Sequence, residues 1–600
     1  MISRRNYFRI LILIFVLGTI FIFTMYAREK GSIYDVNMFV VEEDLLPSGE
    51  NRWVVSGEEE KVLFFGGQNK AMQNTIEQWC TYTKREFIQK DTLQEYSVEQ
   101  DGIPAFILLD AKHLDLGKNG AELLPLTEPG VPVIFCSLPE TETILYSPNL
   151  REILGIKEVK DGVTQIKGVR LFDGFFLGGA ADYEASDEEE AKERQDFTLT
   201  VPWFLTASKT KVYMVGIKDK SEAKEEEFPC LLWRNSYKNT KVFAVCGDYM
   251  DSLAGLGILN AFVYEVRPYD IYPVVNAQNV IINNFPNLSS ENEGTLQEIY
   301  SREPEMVYQG IMWPSLSAMA KTSGIRMTCL LKPQYDYTDA NFPKKDEVPF
   351  YLQQFRGVFA EAGRSLTHSR ETGFGEMLEQ DNIFFDSMNS RYRYQVVYAE
   401  NNDLEKVKQE TKEEGSLSKL ATVSSTYEAE EPLLSYLTDK VTLQRITGDA
   451  KEHTFKDNFD LRGVQTALLY SNVLMDLHDA SWPQEEEHQW QLLYDKMSSN
   501  IYSYWRNNQL EKTTLSESDY RARVFLNLGY SHERTGNKIV LFAENASEEA
   551  WFILRTHDEK ITALTGGAYK QLEKNVYLIT ARKNVVEITL EPLSLKELEE

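Results

Sequence analysis

The chain has 600 residues, with 92 acidic against 63 basic side chains and a formal net charge of −29. A surface that acidic argues against nucleic acid and anionic lipid as partners and points to a cationic one. The five cysteines are scattered through apolar stretches without a CxxC pair, which excludes a dense disulfide framework and reads as small core residues.

The chain opens with Arg4, Arg5 and Arg9, followed by an uncharged apolar run from Ile10 to Ala27. As a helix this run is ~27 Å long, enough for one bilayer crossing. The arginines before it predict a signal anchor over residues 1–30, with the N-terminus cytoplasmic and the bulk of the chain outside the cell membrane. A cleavable signal peptide shares the basic and apolar regions, but Met25-Tyr26-Ala27 lacks the small-x-small pattern of a cleavage site. Residues 31–60 read as a linker.

From Lys61 to about residue 270, short apolar runs alternate with helical segments. Val62 to Phe65, Ala105 to Leu109, Val131 to Phe135 and Val242 to Val245 predict buried strands of a parallel sheet. A second series of strand candidates spans residues 271–535 and includes Val280 to Ile282, Met327 to Leu331, Ser365 to Thr367, Ile383 to Phe385, Gln395 to Tyr398, Leu420 to Val423 and Val441 to Ile446. Helical patterns lie between several of them, including Met306 to Lys321 and Pro349 to Ala362, so a (β/α) barrel with a helical C-terminal part is expected, the stretch from Arg462 to Trp505 reading as helices. From residue 536 the texture changes to alternating runs separated by turn signals, which predicts a small antiparallel β domain over 536–600.

Substrates of such a barrel meet the loops at the carboxyl ends of its strands. His368 follows Leu366-Thr367, Asp386 follows Phe384-Phe385, and Asp336 follows the strand near Leu331. Asp476-Leu477-His478-Asp479 is the densest knot of ionisable groups, with Asp476 and Asp479 on one helix face at i,i+3. Asp386, Asp476, His478 and His368 are therefore the catalytic candidates, each also readable as an ordinary loop or cap residue. Flat indole faces stack on sugar rings while polar side chains meet the hydroxyls, so Trp313, Trp482 and Asp336 are the substrate-binding candidates. Imidazole and carboxylate suit zinc, but no pair has a diagnostic ligand spacing, and neither a metal nor a cofactor is assigned.

The order of parts, the junction from Asn276 through Asn283-Asn284-Phe285-Pro286, and the segment Thr466 to Tyr470 leading into Met475-Asp476-Leu477-His478 resemble a bacterial domain-of-unknown-function family of signal-anchored proteins associated with Pel-type exopolysaccharide biosynthesis. The resemblance implies an α/β fold: an N-terminal transmembrane helix, a flavodoxin- or amidotransferase-like domain over 61–270, a barrel similar to polysaccharide deacetylases, and the C-terminal β domain. Polysaccharide deacetylases carry paired aspartates after the first barrel strand and a His-x3-His metal pair. Here Asn283 and Asn284 stand at the first position and no His-x3-His occurs. Amides cannot act as a general base and ligate zinc weakly, so the resemblance implies a saccharide-binding barrel that is degenerate or uses another set of residues.

The expectation is a membrane-anchored extracytoplasmic protein of exopolysaccharide biosynthesis or export that binds or modifies its polymer. Its partners would be a polysaccharide, with a cationic amino-sugar polymer as the sharper candidate, the membrane through one helix, and a membrane synthase or transporter. An active polysaccharide hydrolase, deacetylase or glycosidase, and an envelope scaffold without sugar binding remain as alternatives.

Overall fold

The computed structural model describes residues 12–19 and 60–594, apart from 195–196, 198, 220–222, 339, 347, 349–362, 388–393, 413–414, 506–508 and 545–547. The first sheet begins with β1 (Lys61–Phe65), β2 (Glu86–Lys90), β3 (Phe106–Asp110) and β4 (Val133–Ser137). Between β1 and β2 runs α1 (Lys70–Tyr82), capped by the Asn69 side chain, which accepts from the Met72 backbone N–H. β5 (Ile156–Ile166) and β8 (Leu199–Thr206) form a separate two-stranded arm around β6 (Gly168–Leu171) and β7 (Ala181–Tyr183). With β9 (Lys211–Ile217), β10 (Cys230–Tyr237) and β11 (Thr240–Val245), the nine-stranded order is β2-β1-β3-β4-β11-β10-β9-β6-β7. Pairing is parallel as far as β11 and antiparallel beyond it. β3 and β4 are buried along their whole length, as strands covered on both faces must be.

After α2 (Ala254–Val266) and β12 (Tyr269–Val274), the chain enters a second set of parallel strands. These are β13 (Ala277–Asn283), β14 (Met327–Cys329), β15 (Gly363–Ser365), β16 (Val396–Tyr398), β17 (Thr422–Thr426), β19 (Thr442–Ile446), β20 (Gly448–Asp449) and β21 (Tyr470–Asp476), with β18 (Leu434–Tyr436) antiparallel on β19. They pair as β14-β13-β21-β20 and β15-β16-β17-β19-β18. A bridge between Leu331 and Arg364 joins the two sheets at one side. At the other, β20 continues β19, and the amides of Thr447 and Ala450 donate to Asn472 and Leu474, so the parallel strands follow one another around a ring.

α3 (Trp313–Ser323), α4 (Phe374–Ser387) and α5 (Phe455–Leu468) lie among these strands in the chain. α5 packs on α2 at backbone distance: a Cβ on Gly257 would stand 2.5 Å from the Gly463 carbonyl oxygen, which only glycine allows. α6 (Leu515–Asn527) closes the N-terminal end of the ring. Its Arg523 Nη2 donates to the carbonyls of Ala421 and Lys440 just ahead of β17 and β19, and Asp519 accepts from Thr442 and Arg523. The carboxyl ends of the strands are left for function. The remaining strands, β22 (Gly529–Thr535), β23 (Lys538–Glu544), β24 (Ala550–Thr556), β25 (Glu559–Thr565), β26 (Gly567–Glu573), β27 (Val576–Ala581) and β28 (Val585–Pro592), form two antiparallel sheets, one of them borrowing β12 as the neighbour of β24.

The expected fold class, an anchoring helix followed by a succession of units, is corrected to a mixed α/β assembly of several sheets. Of the expected span, the structure describes a helix over residues 12–19, and among the described residues no helix is long and apolar enough to cross a membrane. Two local expectations also change. Ile383 to Phe385 belong to helix α4, and Tyr470 to Asp476, expected as helix, are strand β21. β21 is buried along nearly its whole length between β13 and β20, and seven registered pairs with β13 outweigh local propensity there. The expected helix Pro349 to Ala362 lies outside the described residues. All five cysteines are buried and none forms a disulfide.

Candidate functional site

Asn283 ends β13 and Asp476 ends β21, directly across in the parallel register. Asn283 Nδ2 donates to Asp476 Oδ2 at 3.0 Å, while Asn284 Nδ2 and the His478 backbone N–H both donate to Oδ1 at 2.8 Å. Successive strand residues point to opposite faces, so two consecutive asparagines reach one carboxylate only if the backbone breaks that alternation. It does: Asn284 has φ +57°, a left-handed conformation that asparagine tolerates.

The other end of the Asn284 amide is also held. Its Oδ1 accepts from Ser365 Oγ at 2.8 Å and Thr367 Oγ1 at 2.7 Å, and Lys332 Nζ donates to Thr367 Oγ1 at 2.8 Å. Lys332 is fully buried. Burial and the nearby Arg364 guanidinium push its amine well below the usual lysine value, against the opposing charges of Asp381, Asp476 and Glu291.

Above this polar floor lie three half-buried rings. Tyr335 and His478 have centroids 4.8 Å apart, His478 and Trp482 4.9 Å, and Tyr335 and Trp482 5.3 Å. Lys332 Nζ sits 5.0 Å from the Tyr335 centroid. Burial lowers the His478 pKa below its ordinary value, Lys332 adding to the effect and Asp476 and Asp479 opposing it. Glu291 holds the Tyr335 loop by accepting from the amides of Tyr335 at 2.9 Å and Asp336 at 2.6 Å. At the rim, Asp449 ends β20 exposed to solvent, and partial desolvation by the surrounding protein raises its pKa to about 6, the Asp476 charge adding to the effect. Lys451 pairs with Asp479 beside His478.

The structure thus brings together Asp476, His478 and Trp482 from the sequence candidates. Asp479 does not share a helix face with Asp476, because the strand ends at Asp476 and the one-turn helix begins at His478. Asp336 follows Tyr335 in the same loop, but its carboxylate is turned to its own Thr338 hydroxyl and amide, which hold its pKa below the usual range. His368 follows β15 with Nδ1 3.1 Å from the Leu366 carbonyl and 4.0 Å from Asp403. Asp386 sits on the exposed side of α4, away from a strand end, and Trp313 is 8% exposed and stacked on Phe285 in the core. Lys332, Tyr335, Thr367 and Asp449 escaped the sequence reading. For Lys332 and Asp449 the one available signal was a charged residue just beyond an apolar strand run. Among the described residues, no group of three or more His, Cys, Asp or Glu side chains has a metal-holding arrangement.

A family model described as an uncharacterised protein conserved in bacteria, DUF2194, matches residues 178–578. The chain belongs to the DUF2194 family. All the floor and platform residues named above lie within the DUF2194 match. No curated protein matches the chain. Among solved structures, the DUF2194 chain is similar to Agd3, described as a novel carbohydrate deacetylase, at 9% identity and a TM-score of 0.49, covering 90% of this chain and 99% of that one. A ThuA-like protein from Bacteroides uniformis matches at 16% identity and a TM-score of 0.22, covering 35% of this chain and 92% of that one. An exo-β-1,4-mannosidase from an Opitutaceae bacterium matches at 10% identity and a TM-score of 0.22, covering 34% and 36%. At these scores the likenesses assign no residue a role.

Proposed function

We propose that the cleft at the carboxyl ends of the parallel strands binds a carbohydrate polymer, and that the protein serves the building or export of an extracellular polysaccharide. The observation that carries this reading is the platform of Tyr335, His478 and Trp482 over a floor of Asn283, Asn284, Asp476 and Lys332. Aromatic faces take the apolar face of a sugar ring, and fixed polar groups beside them take its hydroxyls. With a net charge of −29 and Asp449 at the rim, an amino-sugar polymer with free amines is the favoured ligand.

The test is retention of the protein on an insoluble, partially acetylated glucosamine polymer, with unmodified cellulose as control. Retention that is lost on Trp482→Ala supports the reading, and equal retention of both proteins rejects it.

One observation favours hydrolysis as a second reading. Asp449 and Asp476 end the neighbouring parallel strands β20 and β21, and two carboxyl groups at adjacent strand ends are what acid–base hydrolysis uses. Release of acetate or of reducing ends from the same polymer, abolished in Asp476→Asn, would establish it.

A further inference from the structure

Lys332 touches both halves of the cleft: its amine lies under the Tyr335 ring and hydrogen-bonds Thr367 in the floor. Lys332 Nζ donates to Thr367 Oγ1 and Thr367 Oγ1 in turn donates to Asn284 Oδ1, with Ser365 Oγ 2.9 Å from the threonine hydroxyl. With Ser365 Oγ donating to the same oxygen, the Asn284 amide can turn only its Nδ2 toward Asp476. Nothing about Asn284 alone settles this, since an amide fits such a slot in either sense. The charges facing Lys332 are Arg364, Asp381, Asp476 and Glu291, and Arg364 is already paired with Asp381 at 2.7 Å.

We propose that Lys332 is the positioning residue of the cleft: through Thr367 it sets the orientation of the Asn284 amide that presents Asp476, and through its contact with the ring face it seats Tyr335 in the platform. The proposal deepens the carbohydrate reading and rests on it for its ligand, but the coupling it asserts exists without one. Lys332 and Asp476 also act on one another by charge, so the uncharged Thr367 is the residue whose substitution isolates the hydrogen-bonded link through Asn284.

The experiment uses Thr367→Val, which keeps the shape of the side chain and removes the hydroxyl, with Thr367→Ser as the conservative rescue. Denaturant midpoints are measured for Thr367→Val, Asp476→Asn and the double variant, without ligand. The expected result is a double-variant midpoint loss clearly smaller than the sum of the two single losses, with Thr367→Ser behaving as the native protein against Asp476→Asn. Additive losses would overturn the proposal. On a partially acetylated glucosamine oligomer, Thr367→Val and Lys332→Met should weaken binding about tenfold, the effect of one buried hydrogen bond, and Thr367→Ser should restore it. If the native protein binds no such oligomer, the carbohydrate reading fails while the midpoint cycle still decides the positioning role. If it binds and Thr367→Val binds equally, the proposal fails while the carbohydrate reading stands.

Discussion

Asn284 and Asp476 stand at the ends of neighbouring parallel strands, and the amide of the first donates to the carboxylate of the second at 2.8 Å. Asn284→Asp removes that donor and sets a second carboxylate against the first. A loss of about 1–3 kcal/mol in unfolding free energy follows, from a lost hydrogen bond to the carboxylate and a like-charge contact, measured by chemical denaturation at neutral pH. The left-handed backbone at Asn284 is also accessible to aspartate, so the loss reports the side chain rather than the main chain.

The aromatic residues separate by role. Tyr335→Ala and Trp482→Ala should each weaken polymer binding roughly fivefold, about 1 kcal/mol for a lost stacking face, with little change in melting temperature. Trp313→Ala should do the reverse. Its indole is buried against Phe285, and its truncation should destabilise the fold by about 3–5 kcal/mol. Isothermal titration and thermal melts on the same samples check both.

His453 is a buried histidine, 2% exposed, packed against Tyr504 and Trp505 with ring centroids 4.0 and 4.7 Å away. Burial lowers its pKa from 6.5 to about 4, with Arg194 adding to the effect and Asp457 opposing it. The unfolded chain therefore binds this proton at a higher pH than the folded one. The stabilisation is fully present above pH 6.5 and is lost as pH falls toward 4, a total of roughly 3 kcal/mol. His453→Phe should flatten the stability profile between pH 6.5 and 4, followed by urea denaturation at fixed pH steps.

The helix α6 that closes the ring depends on a buried ion pair, with Asp519 and Arg523 in contact at 2.9 Å. Arg523→Met strands the Asp519 carboxylate and should cost about 3–5 kcal/mol of stability. Adding Asp519→Leu should recover part of that loss, because the unpaired charge is then gone. Unfolding midpoints of the single and double variants decide it.

How much of this was legible in the chain differs by element. Strands β3 and β4 are continuous apolar runs between turn residues, and a strand covered on both faces can hardly look otherwise. β21 was hidden because Tyr470-Ser471-Asn472 mixes polar and apolar residues, and its strand character comes from pairing with β13 and β20, far away in sequence. Lys332 illustrates the same limit for the site. A lysine after an apolar run reads as a solvated surface group, and only the surrounding strands make it a buried donor to Thr367.

Composition and local pattern alone determined the acidic balance, the buried parallel strands, and the knot around Asp476, His478 and Trp482. These follow from side-chain chemistry and short-range periodicity, which a linear chain displays openly. Tertiary structure alone decided that Asp386 and Trp313 stand apart from the cleft, and that Asn283, Asn284, Lys332 and Tyr335 converge on Asp476 from strands and loops separated by up to about two hundred residues. The reason is geometric. A ring of parallel strands gathers the ends of distant segments at one face, and the hydrogen-bond directions there depend on neighbours that no local window of sequence contains.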